Sequence, residues 1–208
     1  MFRNNINYNF KKSTTLEKRG SGFTVVELVV VVAIFTFISA LVLINFSGFN
    51  NRILVNNLAY DIALSIRKAQ TFGLNVREVG TGTGQFSAGY GVFFNNNNTR
   101  YIFFADLNKN KVYNSTNSEL LESFTIRGGN TILKICGLSS NETETCNDTG
   151  SISNLHITFT RPNPEAVIKS TSPAFDWAGA RIYIVSQKGV ERSITVRSTG
   201  QISIEGVF

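Results

Sequence analysis

Few side chains in this chain are equipped for catalysis. Its 208 residues include one His, two Cys and one Met. A nucleophile needs a base in reach and a third group to orient that base. Ser39 and Ser65 have no such partners in pattern. His156 alternates with Leu155, Ile157 and Phe159, which places it with Thr158 and Thr160 on the solvent side of a strand. Asp106-Leu107-Asn108-Lys109-Asn110 opens like a calcium loop. Its sixth position holds Lys111 where Gly belongs, and its twelfth holds Asn117 where Glu belongs. Two lysines also repel a cation, so the stretch reads as an Asx-rich turn. Residues 80–84 are rich in Gly but lack the Lys and the following helix of a phosphate loop. No enzymatic activity, metal or cofactor is expected.

Two other groupings bear on structure and binding. Cys136 and Cys146 bracket a polar loop. An extracytoplasmic setting permits a disulfide there, and that reading is preferred to two free buried thiols. Closing so short a loop contributes roughly 2–3 kcal/mol. Arg181, Lys188, Arg192 and Arg197 gather near the C-terminus with Glu191 as the acid between them. On one strand face they would form a nucleic-acid stripe. The preferred reading is a solvated edge that discourages strand pairing.

The strongest signal is an apolar run. Residues 23–44 carry a single charge, Glu27. As a helix they extend about 33 Å, against a hydrocarbon core of about 30 Å. The run is longer than the core of a cleaved secretory signal and lacks its small-residue exit. Arg3, Lys11, Lys12, Lys18 and Arg19 precede it against one acid, Glu17, and account for most of the formal net charge of +6. Basic residues beside a span stay cytoplasmic, which sends the rest of the chain outward. The charge is therefore a topology signal and not a nucleic-acid one. Glu27 is the anomaly, because a carboxylate deep in lipid costs several kcal/mol unless paired. Placement at the interface, one turn from Phe23, is the alternative with little cost.

Lys18-Arg19-Gly20-Ser21-Gly22-Phe23-Thr24-Val25-Val26-Glu27, followed by an unbroken apolar helix, resembles the type IV prepilin signal. That family comprises type IV pilins and the pseudopilins of type II secretion. The resemblance implies cleavage after Gly22 by a prepilin peptidase, N-methylation of the exposed Phe23, and pairing of Glu27 with the terminal ammonium of a neighbouring subunit. It implies other pilin or pseudopilin subunits, the peptidase/methylase, an inner-membrane assembly platform and the lipid bilayer as partners. One departure is Ile44, where many major pilins carry a helix-bending Pro. The order of elements is most similar to minor pseudopilin H and FimT-type minor pilins.

The expected fold is α+β: a long N-terminal helix, membrane-spanning in its first half and amphipathic in its second, packed on an antiparallel sheet head. Four segments follow: a cytoplasmic basic leader (1–22), a transmembrane or filament-core helix (23–46), an amphipathic helix (47–75) and an extracytoplasmic β-rich head (76–208). Gly48 is the nearest helix weakener after the run. Beyond it Leu54, Leu58, Ile62, Ile66, Ala69 and Phe72 form one apolar stripe, with Gly73 or Asn75 as its stop. Strands are expected over 90–94, 101–105, 132–136, 155–160, 182–186, 193–198 and 201–204. A hairpin turn falls at 95–98 and another at 187–191. The functional expectation is a structural subunit of a pilus or pseudopilus. DNA capture by a minor pilin, or an uncleaved anchored domain, stand as alternatives.

Overall fold

A computed structural model describes residues 22–75, 78–79, 84, 86 and 89–206, without the side chains of 44–49 and 117. The basic leader expected over 1–22 lies, apart from Gly22, outside the described residues, as does most of the glycine-rich stretch 80–84. The chain divides into two units, 1–44 and 45–208.

One helix, α1 (Val25–Leu74), contains both predicted helical segments. No break occurs at Gly48, since a single interior Gly costs a helix only about 1 kcal/mol. Within α1, Val25–Leu43 is long and apolar enough to be a candidate membrane span, and none of it is buried among the described residues. The later part is amphipathic. Val55, Leu58, Ala59, Ile62, Ile66 and Ala69 are buried, and Phe72 packs against them. Gly73 does more than end the stripe. A Cβ there would stand 2.4 Å from the Phe159 carbonyl oxygen, so Gly allows helix and strand backbones to meet.

The head contains eleven strands: β1 (Gly89–Asn95), β2 (Arg100–Asp106), β3 (Leu120–Thr125), β4 (Thr131–Leu138), β5 (Glu144–Cys146), β6 (Asn154–Thr160), β7 (Asn163–Thr171), β8 (Ala174–Trp177), β9 (Gly179–Val185), β10 (Glu191–Arg197) and β11 (Ile202–Gly206). They form two sheets rather than the single expected one. The first has order β3-β2-β1-β6-β7-β8 and the second β11-β10-β9-β4-β5. Every neighbouring pair is antiparallel. The expected strands are all present. β3, β5, β7 and β8 are additional, and each has a weak sequence signal. β3 is largely exposed, β5 has three residues, and β7 has a Pro as its second residue, a feature that demotes a run. β8 is short and mostly exposed.

Period-two alternation builds the core. Tyr90, Val92, Phe94, Tyr101, Phe103, Leu155, Ile157 and Phe159 come from the first sheet. Ile132, Ile135, Ala180, Ile182, Ile184, Ile194 and Val196 come from the second. All join the helix stripe in one buried cluster. Gln70, also buried, donates from Nε2 to the carbonyls of Pro164 and Gly200, each at 3.2 Å. One amide thus ties the helix to both sheets.

Gly73→Ala is expected to destabilise the head by about 1–3 kcal/mol through overpacking, although helix propensity alone would favour Ala by about 1 kcal/mol. Denaturant unfolding of the full chain in detergent micelles measures this, and a gain in stability would contradict the close approach.

Candidate functional site

The residues that resemble a processing motif lie just before α1 and in its first turn. Thr24 caps the helix: its Oγ1 accepts the Glu27 N–H at 3.2 Å, and its carbonyl accepts the Leu28 N–H at 3.1 Å. Thr24-x-x-Glu27 is therefore also the frame of a capping box. That local role was readable in the sequence as Thr followed three residues later by Glu. Gly22 has open space where a side chain would stand, and Phe23 is 75% exposed. Gly22, Phe23 and Glu27 thus lie together at one exposed helix end. A carboxylate in a helix's first turn also favours its positive end.

In the head, Cys136 and Cys146 stand opposite each other on β4 and β5 and form a disulfide. Glu144 is close by, but it is engaged by Arg181, with which it forms an ion pair, and by the Tyr183 hydroxyl at 2.9 Å. With both sulfurs bonded to each other, this group offers no thiolate to a metal.

The four basic residues near the C-terminus do not share a face. Arg181 stands opposite Thr195 in the β9–β10 register and donates to its Oγ1 at 3.0 Å. Arg197 is on that same face and pairs with Glu142 at 2.9 Å. Arg197 holds the Glu142 carboxyl below its usual range by a hydrogen bond and by its charge. Arg192 has the parity of the core residues Ile194 and Val196, and its Nε donates to Asn56 Oδ1 on α1 at 2.7 Å. Lys188 sits in the turn between β9 and β10, where Gly189 takes φ +79°. Arg181 and Arg197 share one face and Arg192 has the opposite parity, so no stripe of all four forms; nor is the expected solvated edge found, because β9 and β10 are interior strands of the second sheet.

His156 is a correction. It is buried, not solvent-facing. The segment between β2 and β3 folds over the outer face of the first sheet and covers it. Asp106 anchors that segment, accepting the N–H groups of Asn110 at 3.0 Å and Lys111 at 3.1 Å, and Asn108 and Asn110 form Asx turns within it, accepting the N–H groups of Asn110 at 3.1 Å and Val112 at 2.9 Å. The Tyr113 N–H then donates to His156 Nδ1 at 2.9 Å. Thr158 Oγ1 donates to the Lys111 carbonyl, and Lys111 Nζ to Thr160 Oγ1. Sequence alternation identified the face correctly. It carried no signal that a loop from elsewhere would cover it. Because Nδ1 accepts a backbone N–H, the neutral ring carries its proton on Nε2, and that nitrogen has no partner among the described residues. Burial depresses the His156 pKa to about 4.

Compared with protein-family models, with curated proteins and with solved structures, the chain matches none.

The depressed His156 pKa has a defined sign. Between pH 6.5 and about 4 the unfolded chain binds a proton at His156 that the folded chain does not. Stability therefore falls as pH drops through that window, by about 3 kcal/mol in all. The loss is complete below the folded pKa. His156→Gln is expected to flatten the curve between pH 6.5 and 5, as read by denaturant midpoints; parallel curves for the two proteins would refute this.

Proposed function

We propose that this chain is a membrane-anchored structural subunit of a type IV pilus or type II secretion pseudopilus, in the manner of a minor pilin or pseudopilin. The observation that carries the reading is the apolar helical segment Val25–Leu43, with none of it covered by the described residues, joined to the Gly22-Phe23-Thr24-x-x-Glu27 sequence. A helix apolar all round must be covered by lipid or by other helices. A filament subunit uses both in turn: lipid before assembly, neighbouring helices afterwards. The α+β head and its disulfide suit an extracytoplasmic domain.

In this reading the peptidase cuts between Gly22 and Phe23, and the head lies outside the cytoplasmic membrane. The new amine of one subunit is methylated and neutralises Glu27 of another. Methylation of a primary amine keeps its charge, so the pair remains an ion pair in the apolar fibre core. The role is assembly and involves no catalysis by this chain. Nucleic-acid capture has little geometric support, because Arg181 and Arg197 are paired with acids and Arg192 bonds to the helix.

Glu27→Gln separates pairing from capping. The cap uses the backbone N–H of residue 27, which the variant keeps, while the negative charge is lost. The variant is expected to reach the membrane and be cleaved, yet drop out of sheared filaments or pseudopili. N-terminal sequencing of the wild type is expected to begin at methylated Phe23. Material that still begins at Met1, or full incorporation of the Gln variant, would overturn the proposal.

A further inference from the structure

The outer face of the first sheet carries a hollow of about 530 Å³ that the filament role does not use. Phe93 and Ile102 belong to the sheet side of its wall, with Tyr113 and Ser115 contributed by the covering segment. The wall contains Arg100, Asn95, Ser123 and Asn154, and no carboxylate. Arg100 is exposed and enters no ion pair among the described residues. His156 is also part of the wall, and its buried Nε2–H dipole has no acceptor to offset it. Lys169, opposite His156 in the β6–β7 register, is paired with Asp176 at 3.4 Å. Arg100 is therefore the accessible charge of the wall; the Glu119 carboxylate, next in sequence to Leu120 of the wall, is fully buried and accepts the Asn114 N–H at 2.7 Å.

The rest of the lining narrows the ligand class. Phe93 and Tyr113 have ring centroids 5.2 Å apart and give the hollow an aromatic side. His156 positions Tyr113 by accepting its backbone N–H. The serines and asparagines add neutral donors and acceptors suited to hydroxyl groups. We propose that this hollow binds a single carboxylate-bearing sugar, with the carboxylate on Arg100 and the ring against Tyr113. Guanidinium matches a carboxylate with two parallel N–H donors. The size lies within the range of small-ligand sites. The inference is independent of the filament reading, since it concerns the head alone.

The single His of the chain makes the test direct, because its imidazole signals have one assignment. Full-length ¹⁵N-labelled protein in detergent micelles is titrated with glucuronate at pH 7, following the Tyr113 amide and the His156 ring. The expected result is a saturable shift of both. Arg100→Gln is expected to weaken binding by about tenfold or more, the equivalent of one lost charge-assisted contact. Arg127→Gln, outside this hollow, is expected to leave binding unchanged. Glucose, lacking the carboxylate, is expected to bind more weakly by a similar factor. Absence of saturable shifts, or unchanged glucuronate binding in the Arg100 variant, would overturn the site. Sulfate binding as tightly as glucuronate would overturn the sugar assignment.

Discussion

Apolar surface without cover is the constraint on which the rest of this structure depends. The exposed residues of Val25–Leu43 include valine, leucine, isoleucine and phenylalanine side chains about half to three-quarters open. Water does not tolerate a continuous apolar surface of that extent on a soluble monomer. The chain supplies nothing to bury it among its described residues. As a candidate membrane span, the segment has the composition that hydrocarbon requires, with no charge after Glu27. In the proposed function lipid also explains why a Val-rich stretch can be helical. Where no water competes, backbone groups must bond within the segment, and β-branched propensity becomes secondary.

The later part of α1 solves the same problem from inside the protein. Its stripe is narrow enough to leave Tyr60 and Leu64 exposed while Ile62 and Ile66 are fully buried. Two sheets supply the opposing surface, each with one apolar face turned to the common cluster. Hydrophobic contact alone does not fix register along a helix. The polar ties do so: Gln70 to two carbonyls, Arg192 to Asn56, and Lys68 to Glu122 on β3. The Lys68–Glu122 pair is substantially exposed and contributes little energy, so its role is orientation. Gly73 adds a steric condition, because only a residue without Cβ fits against Phe159 at that point.

Legibility in the sequence followed locality. The helix stripe, the β1–β2 and β9–β10 hairpins and the Asx turns that follow Asp106 are determined by residues a few positions apart, and each is present. The disulfide followed from composition and setting, and it is formed. What was not legible depended on distant chain segments. The split into two sheets requires knowing that β6 joins β1 while β4 joins β9, a choice that alternation within each strand does not encode. The burial of His156 depends on a segment anchored by Asp106, 50 positions earlier in the sequence. The separation of Arg192 from Arg181 and Arg197 follows from strand parity, which was available, while the partners that engage each of them lie on other elements and were not.

The first turn of α1 shows how magnitudes discriminate between roles for one residue. Capping by Thr24 is worth on the order of 1 kcal/mol. A carboxylate at the positive end of a helix adds roughly 0.3–1 kcal/mol at an exposed site. Together these explain why Thr and Glu suit a helix start. They do not explain a carboxylate carried into lipid or into a bundle of apolar helices, which costs several kcal/mol without a partner. Glu27 is therefore stable at an aqueous boundary as a first-turn carboxylate, and unstable deeper in unless a cation meets it. A neighbouring subunit's terminal ammonium at Phe23 is, in the proposed function, such a cation, created by opening the chain after Gly22. In the proposed function, cleavage thus creates the charge that lets the apolar helix leave lipid and enter a filament, and Glu27 links the two events.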